Sequence, residues 1–135
     1  MIAPTTPPRL KVAHIVFSAW AEGDTKPFFA LVDDDVSWTV IGTTPISGRY
    51  ASKRAFFEGA FGRLGPRLEG VPRSEIVDVL VDGDRVVLQW IGTTRSVTGK
   101  PYHQTYCWVM RMRDGRIVEV TAYLDTELVS AMFED

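Results

Sequence analysis

The sequence has one cysteine, Cys107, and two histidines, His14 and His103. A single thiol excludes an internal disulfide and any multi-thiolate metal site. The histidines lie far apart with no partner at metal-ligand spacing, so no metal is expected. No apolar run approaches the ~18 residues a membrane-crossing helix needs. Neither sign of charge is in excess, since 15 Lys and Arg against 17 Asp and Glu leave a net charge of −2. That balance offers no field for general nucleic-acid or membrane-surface binding. The opening MIAPTTPPRLK lacks a basic stretch followed by an apolar one, so no secretion signal is expected and the cytoplasm is the expected compartment. Gly-x-Gly-x-x-Gly and Gly-Lys-Ser/Thr are both missing, so no cofactor is expected.

What is present suits one globular domain over residues 1–135, with 45% hydrophobic and 24% charged residues. Thr5-Thr6-Pro7-Pro8 reads as the end of a frayed tip, residues 1–8. From Arg9 to Glu22, Leu10, Ala13, Val16/Phe17 and Trp20 recur at helical spacing, and Gly23 is a stop. Asp24 suits the cap of a short helix from Thr25 to Val32, ended by Asp33-Asp34-Asp35, whose like charges suggest a solvated turn. Val36 to Ile41 alternates as a half-buried strand does, and Gly42 to Gly48 is a loop by composition. A third helix is expected near Ala51 to Leu64, with Phe56, Phe57, Ala60, Phe61 and Leu64 as its apolar stripe.

The period then changes to two. Ile76, Val77, Val79 and Val81 lead into the turn Asp82-Gly83-Asp84, and Arg85 to Arg95 returns. Tyr102 to Arg113 is a long strand, Asp114-Gly115 a second hairpin turn, and Arg116 to Leu124 the return strand. A short helix closes the chain from Asp125 to Phe133. Helices first and hairpins later predict an α+β fold, a curved antiparallel sheet packed on three N-terminal helices in the order α-α-β-α-β-β-β-β.

This order, with Gly23-Asp24, Ser47-Gly48-Arg49-Tyr50 and Asp114-Gly115-Arg116-Ile117-Val118-Glu119, resembles the SnoaL-like proteins from about Val12 to Val129. These belong to the wider ketosteroid-isomerase and nuclear-transport-factor-2-like superfamily, of cystatin-like fold. The resemblance implies a cone-shaped α+β barrel around an apolar pocket, and a homodimer formed through the outer sheet face. The superfamily holds isomerases, polyketide cyclases, epoxide hydrolases, dehydratases and proteins with no catalytic role, so fold does not settle function. The steroid-isomerase roles fall on Val16, Thr39 and Trp108, none suited to moving the proton. Those of the limonene-type epoxide hydrolases fall near Gln89, Ile91 and Ala122, which cannot activate water. Against the cyclases, Asp125 matches the aspartate ending the last strand. The tryptophan four residues earlier is Thr121 here, and Gly92-Thr93-Thr94 lacks the family's histidine.

Strand alternation puts Tyr102, Gln104, Tyr106, Trp108, Met110 and Met112 on one face of the long strand. With Trp20, Trp38, Phe56 and Ile91, the residues Tyr102, Trp108 and Met110 would line a pocket for a small, flat, apolar or aromatic ligand, or else simply fill the core. Asp125 is the candidate general base, its pKa raised by an apolar setting, with Tyr106 and Gln104 as oxyanion donors. The more common use of Asp, as a helix cap through Thr126 and Glu127, suits it as well. His103 falls on the outer face, Glu119 is a cross-strand partner for a basic residue, and Cys107 reads as an inert buried thiol. Three functions remain: a carboxylate-dependent isomerase, cyclase or dehydratase on an apolar carbonyl compound; a non-catalytic binder of an apolar metabolite; and a dimeric interaction module.

Overall fold

The computed structural model describes residues 19–134. The expected frayed tip, His14 and most of the expected first helix lie outside the described residues. The end of that helix is a 3-10 turn, Trp20–Glu22, closed by Gly23 at φ 93°. Helix α1, Lys26–Leu31, follows with Pro27 in its first turn, and the Asp24 carboxylate accepts from the Lys26 N–H at 3.1 Å. Phe28 and Phe29 are its buried side chains.

Strand β1, Val32–Val40, starts where α1 stops, so Asp33-Asp34-Asp35 lies within a strand rather than in the expected turn. Cations from elsewhere in the fold offset the repulsion: Asp33 lies 3.3 Å from Arg116 and Asp34 3.6 Å from Lys53. A loop containing the mutually bonded Thr44 and Ser47 leads to β2, Gly48–Tyr50, a short strand not expected from the sequence. The next helix, α2, spans 53–64. Ser52 caps it by accepting from the Ala55 N–H at 3.0 Å. It is α-helical over Lys53–Phe56, widens into a π-helical stretch over Phe57–Phe61, and tightens again at Gly62–Leu64. A 3-10 turn, Gly65–Arg67, ends it at the expected Gly-Pro stop.

Four strands then run through hairpins: β3 Arg73–Asp82, β4 Arg85–Arg95, β5 Pro101–Arg113 and β6 Arg116–Leu124. At the last hairpin Asp114 and Gly115 both take positive φ, 52° and 79°, the geometry that matches strand twist in a two-residue turn. Helix α3, Thr126–Met132, closes the chain.

The six strands form one sheet in the order β2-β1-β6-β5-β4-β3. It is mixed rather than antiparallel, because β1 and β6 run parallel at its centre while every other pair is antiparallel. The first long strand thus pairs with the last, a contact that no local turn announces. Register shifts in the β1–β6, β3–β4 and β5–β6 ladders mark where the sheet bends, since an extra residue on one strand kinks it. The inner face, α1, α2 and Trp20 bury one aromatic-rich core.

Candidate functional site

Alternation along β5 holds as read: Tyr102, Gln104, Trp108, Met110 and Met112 are buried, and His103, Thr105 and Arg113 are exposed. The inner face of β5 carries Trp108 to the middle of the sheet, and the neighbouring elements each add a ring. Trp108 lies 5.1 Å from Trp38 of β1, 5.3 Å from Trp90 of β4 and 5.2 Å from Trp20, all edge-to-face. The chain has four tryptophans, so every one belongs to this cluster. Phe56 stacks on Trp38 at 3.9 Å, and Tyr106 stacks on Trp90 at 4.1 Å.

These rings line a cavity of about 600 Å³ between the sheet and α2. Of the expected lining residues, Trp20, Trp38, Phe56 and Trp108 face it, as does Tyr106. Tyr102 and Met110 are buried at 0% and 1% exposure but do not reach the cavity. Ile91 requires correction. It pairs with Thr105 on the outer face of the sheet, and Trp90 takes the inward position. The signal was in the strand itself: Val86, Leu88, Trp90 and Gly92 form its buried alternation. The π-helical stretch adds Phe57, Ala60 and Phe61 to the lining, consistent with the frequent placement of such widened turns at functional sites.

The three residues expected to do chemistry do meet, but in another arrangement. The Gln104 side-chain amide donates to the Asp125 carbonyl at 2.9 Å, and its oxygen accepts from the Asp125 N–H at 2.7 Å. Gln104 is fully buried and holds backbone, so it is not free to serve as an oxyanion donor. The Asp125 side chain is exposed and accepts from the Leu128 N–H at 3.2 Å, capping α3. It does not reach the cavity, so the expected base is not where the ligand would be. Tyr106 does reach the cavity, and its hydroxyl is hydrogen-bonded to that of Tyr102 at 2.9 Å. Burial pushes the Tyr106 phenol well above its ordinary range, and the neighbouring Tyr102 adds to this. Burial also raises Tyr102, against the opposing hydrogen bonds from Tyr106 and Gln104.

Among the described residues that line the cavity there is no carboxylate and no imidazole; its one ionic side chain is Lys26. The Trp20 indole donates to the Ser74 hydroxyl at 3.0 Å. Among the described residues the indole N–H groups of Trp38, Trp90 and Trp108 are buried without an acceptor. Elsewhere, Glu119 pairs with Arg111 across the β5–β6 ladder at 3.5 Å, as expected. Cys107 is half-buried on the outer face rather than enclosed.

Residues 13–120 match the model of the SnoaL-like domain. The chain belongs to that family. No curated protein matches it. Among solved structures, this SnoaL-like domain superposes on an NTF2-like protein of Burkholderia thailandensis with a TM-score of 0.79 at 23% identity, covering 97% of this chain and 100% of that one. Bal32a, from a soil-derived mobile gene cassette, gives 0.77 at 24% identity, covering 94% and 97%. TerC, co-crystallised with polyporic acid, gives 0.76 at 19% identity, covering 96% and 100%. At such identities the SnoaL-like domain shares their fold, and these likenesses carry nothing about its chemistry. No described helix is long and apolar enough to cross a membrane.

Proposed function

We propose that this SnoaL-like domain is a non-catalytic binder of a small, flat, largely aromatic molecule. One observation carries the reading: all four tryptophans converge on a cavity of about 600 Å³ whose lining, among the described residues, has no carboxylate or imidazole. General acid–base chemistry needs a group poised to exchange a proton within hydrogen-bond reach of the reacting atom. Among the described residues, the titratable side chains lining this cavity are the Tyr106 phenol, held protonated by burial and bonded to Tyr102, and Lys26 at the mouth. The carboxylate that the sequence offered for this is committed to capping α3. The cavity has the size and apolar character of a small-molecule site. Aromatic walls favour flat ligands, because rings stack offset or edge-to-face rather than pack isotropically.

The test uses N-phenyl-1-naphthylamine, a neutral fluorescent probe, titrated into the protein while tryptophan emission is followed. Saturable quenching with matching gain of probe emission is expected, since every tryptophan lies in the cluster. Ala60 is buried on α2 and lines the cavity, so Ala60→Phe fills that space and should abolish binding without unfolding the domain. Binding that persists unchanged in folded Ala60→Phe, or no saturable binding at all, would overturn the reading.

A further inference from the structure

Among the described residues the cavity's lining has one charged side chain, Lys26. The hydroxyls of Ser74 and Tyr106 are engaged by Trp20 and Tyr102. Lys26 is exposed and lines the cavity where it meets a neighbouring groove shared with Phe29 and Phe57. That groove holds Lys26, Lys53 and Arg54 beside Asp34 and Glu58. Asp34 is paired with Lys53 at 3.6 Å, and Glu58 with Arg54 at 2.8 Å. Among the described residues Lys26 is therefore the cation of this rim whose ammonium forms no ion pair, although the Asp24 carboxylate accepts from its backbone N–H.

Resting on the proposed binding role, we propose that the ligand is an aromatic anion, a carboxylate or sulfonate-type acid. Its ring system lies against the tryptophans and its anionic group meets Lys26 at the mouth. Apolar and aromatic side chains dominate the lining, so the ring system is held by stacking and the anionic group by Lys26 at the mouth. At the rim, an anion completes the charge pairing that Asp34 and Glu58 leave incomplete.

The experiment compares 1-anilinonaphthalene-8-sulfonate with N-phenyl-1-naphthylamine, the same ring system without the sulfonate, on wild type, Lys26→Gln and Lys26→Glu. The anionic probe is expected to bind wild type about fivefold more tightly, the size of an exposed ion pair near 1 kcal/mol. Lys26→Gln should remove that preference, and Lys26→Glu should weaken the anionic probe about tenfold while leaving the neutral one within about twofold. The preference should also shrink as salt is raised. Equal affinity of the two probes for wild type, or equal changes in both on Lys26→Glu, overturns the anion proposal and leaves the aromatic site standing. Failure of both probes to bind overturns the underlying reading instead.

Discussion

The side chain of Gln104 and the backbone of Asp125, 21 residues apart, form a closed pair of hydrogen bonds at 2.9 and 2.7 Å. This pair ties the first part of β5 to the residue where β6 gives way to α3. The far end of α3 is held as well, since the Lys100 ammonium donates to the carbonyls of Ala131 and Glu134. The last helix is thus clamped at both ends by groups from around β5. Gln104→Leu keeps the volume but leaves the Asp125 N–H without a partner and its carbonyl with only the Val129 N–H at 3.3 Å. A loss of about 2–3 kcal/mol is expected in urea unfolding, in line with the cost of orphaned polar groups. Gln104→Glu should do no better, because it loses the donor and buries a charge.

Asp125 itself should behave as a cap. Asp125→Asn retains a side-chain oxygen for the Leu128 N–H and should change stability by only a few tenths of a kcal/mol, whereas Asp125→Ala should cost about 1 kcal/mol. Neither substitution should alter probe binding in the cavity. A large loss of probe affinity in Asp125→Asn would return the carboxylate to the site.

The paired phenols predict a response to alkali. Tyr106 and Tyr102 are both held above the ordinary tyrosine range, first by burial. In the unfolded chain they would titrate near pH 10. As pH rises past that value the unfolded chain gives up these protons before the folded one does. The stability that the neutral pair contributes is therefore complete below about pH 10 and is lost as pH climbs toward the folded values. Thermal midpoints measured from pH 8 to 12 should fall steeply above pH 10, and less steeply in Tyr102→Phe/Tyr106→Phe. An unchanged slope in the double variant would show that other groups set the alkaline limit.

The parts of this fold that were legible in the sequence are those decided locally. Asp82-Gly83 and Asp114-Gly115 carry their own turn chemistry, so β4 and β6 begin and end where composition put them. Alternation along β5 sorted its two faces correctly because burial acts residue by residue. What stayed hidden depended on distant partners. The three aspartates read as a turn because Arg116 and Lys53, which neutralise two of them, arrive from β6 and α2. Ile91 and Trp90 are both apolar neighbours, and only the register with β5 decides which faces inward. Gln104 looked available for chemistry because its acceptor and donor are backbone groups on another element.

The π-helical stretch depends on a close approach that the sequence does not announce. Gly59 sits against the Tyr50 ring, so a Cβ there would press into it, with Cδ1 and Cζ only 3.1 and 3.2 Å away. The ring has little room to yield, because its hydroxyl donates to the Ile46 carbonyl at 2.6 Å. Although alanine favours helices, Gly59→Ala should destabilise by about 1–3 kcal/mol, the range for overpacking. Adding Tyr50→Leu should recover part of that loss, a non-additivity expected of contacting residues and readable in a double-mutant cycle. Simple additivity would mean that the ring does not set the constraint.

The outer face of the sheet carries the remaining prediction. The register aligns Leu80, Val87, Val109 and Thr121 across four strands, with Cys107 and Tyr123 in the adjacent row. Leu80 is 52% exposed and Tyr123 46%, so the patch is partly apolar and open to solvent. A stable pair of chains needs about 1,200–2,000 Å² of buried surface in total, and a continuous sheet face can supply it. The face is self-complementary in kind, with Arg111 and Glu119 forming a charged edge beside the apolar rows. A homodimer is expected by sedimentation velocity, and Leu80→Glu/Tyr123→Glu should convert it to monomer. Because these side chains point away from the cavity, probe binding should survive the conversion. Wild type that sediments only as monomer would refute the dimer, and loss of probe binding on conversion would mean that the two faces of the sheet are coupled.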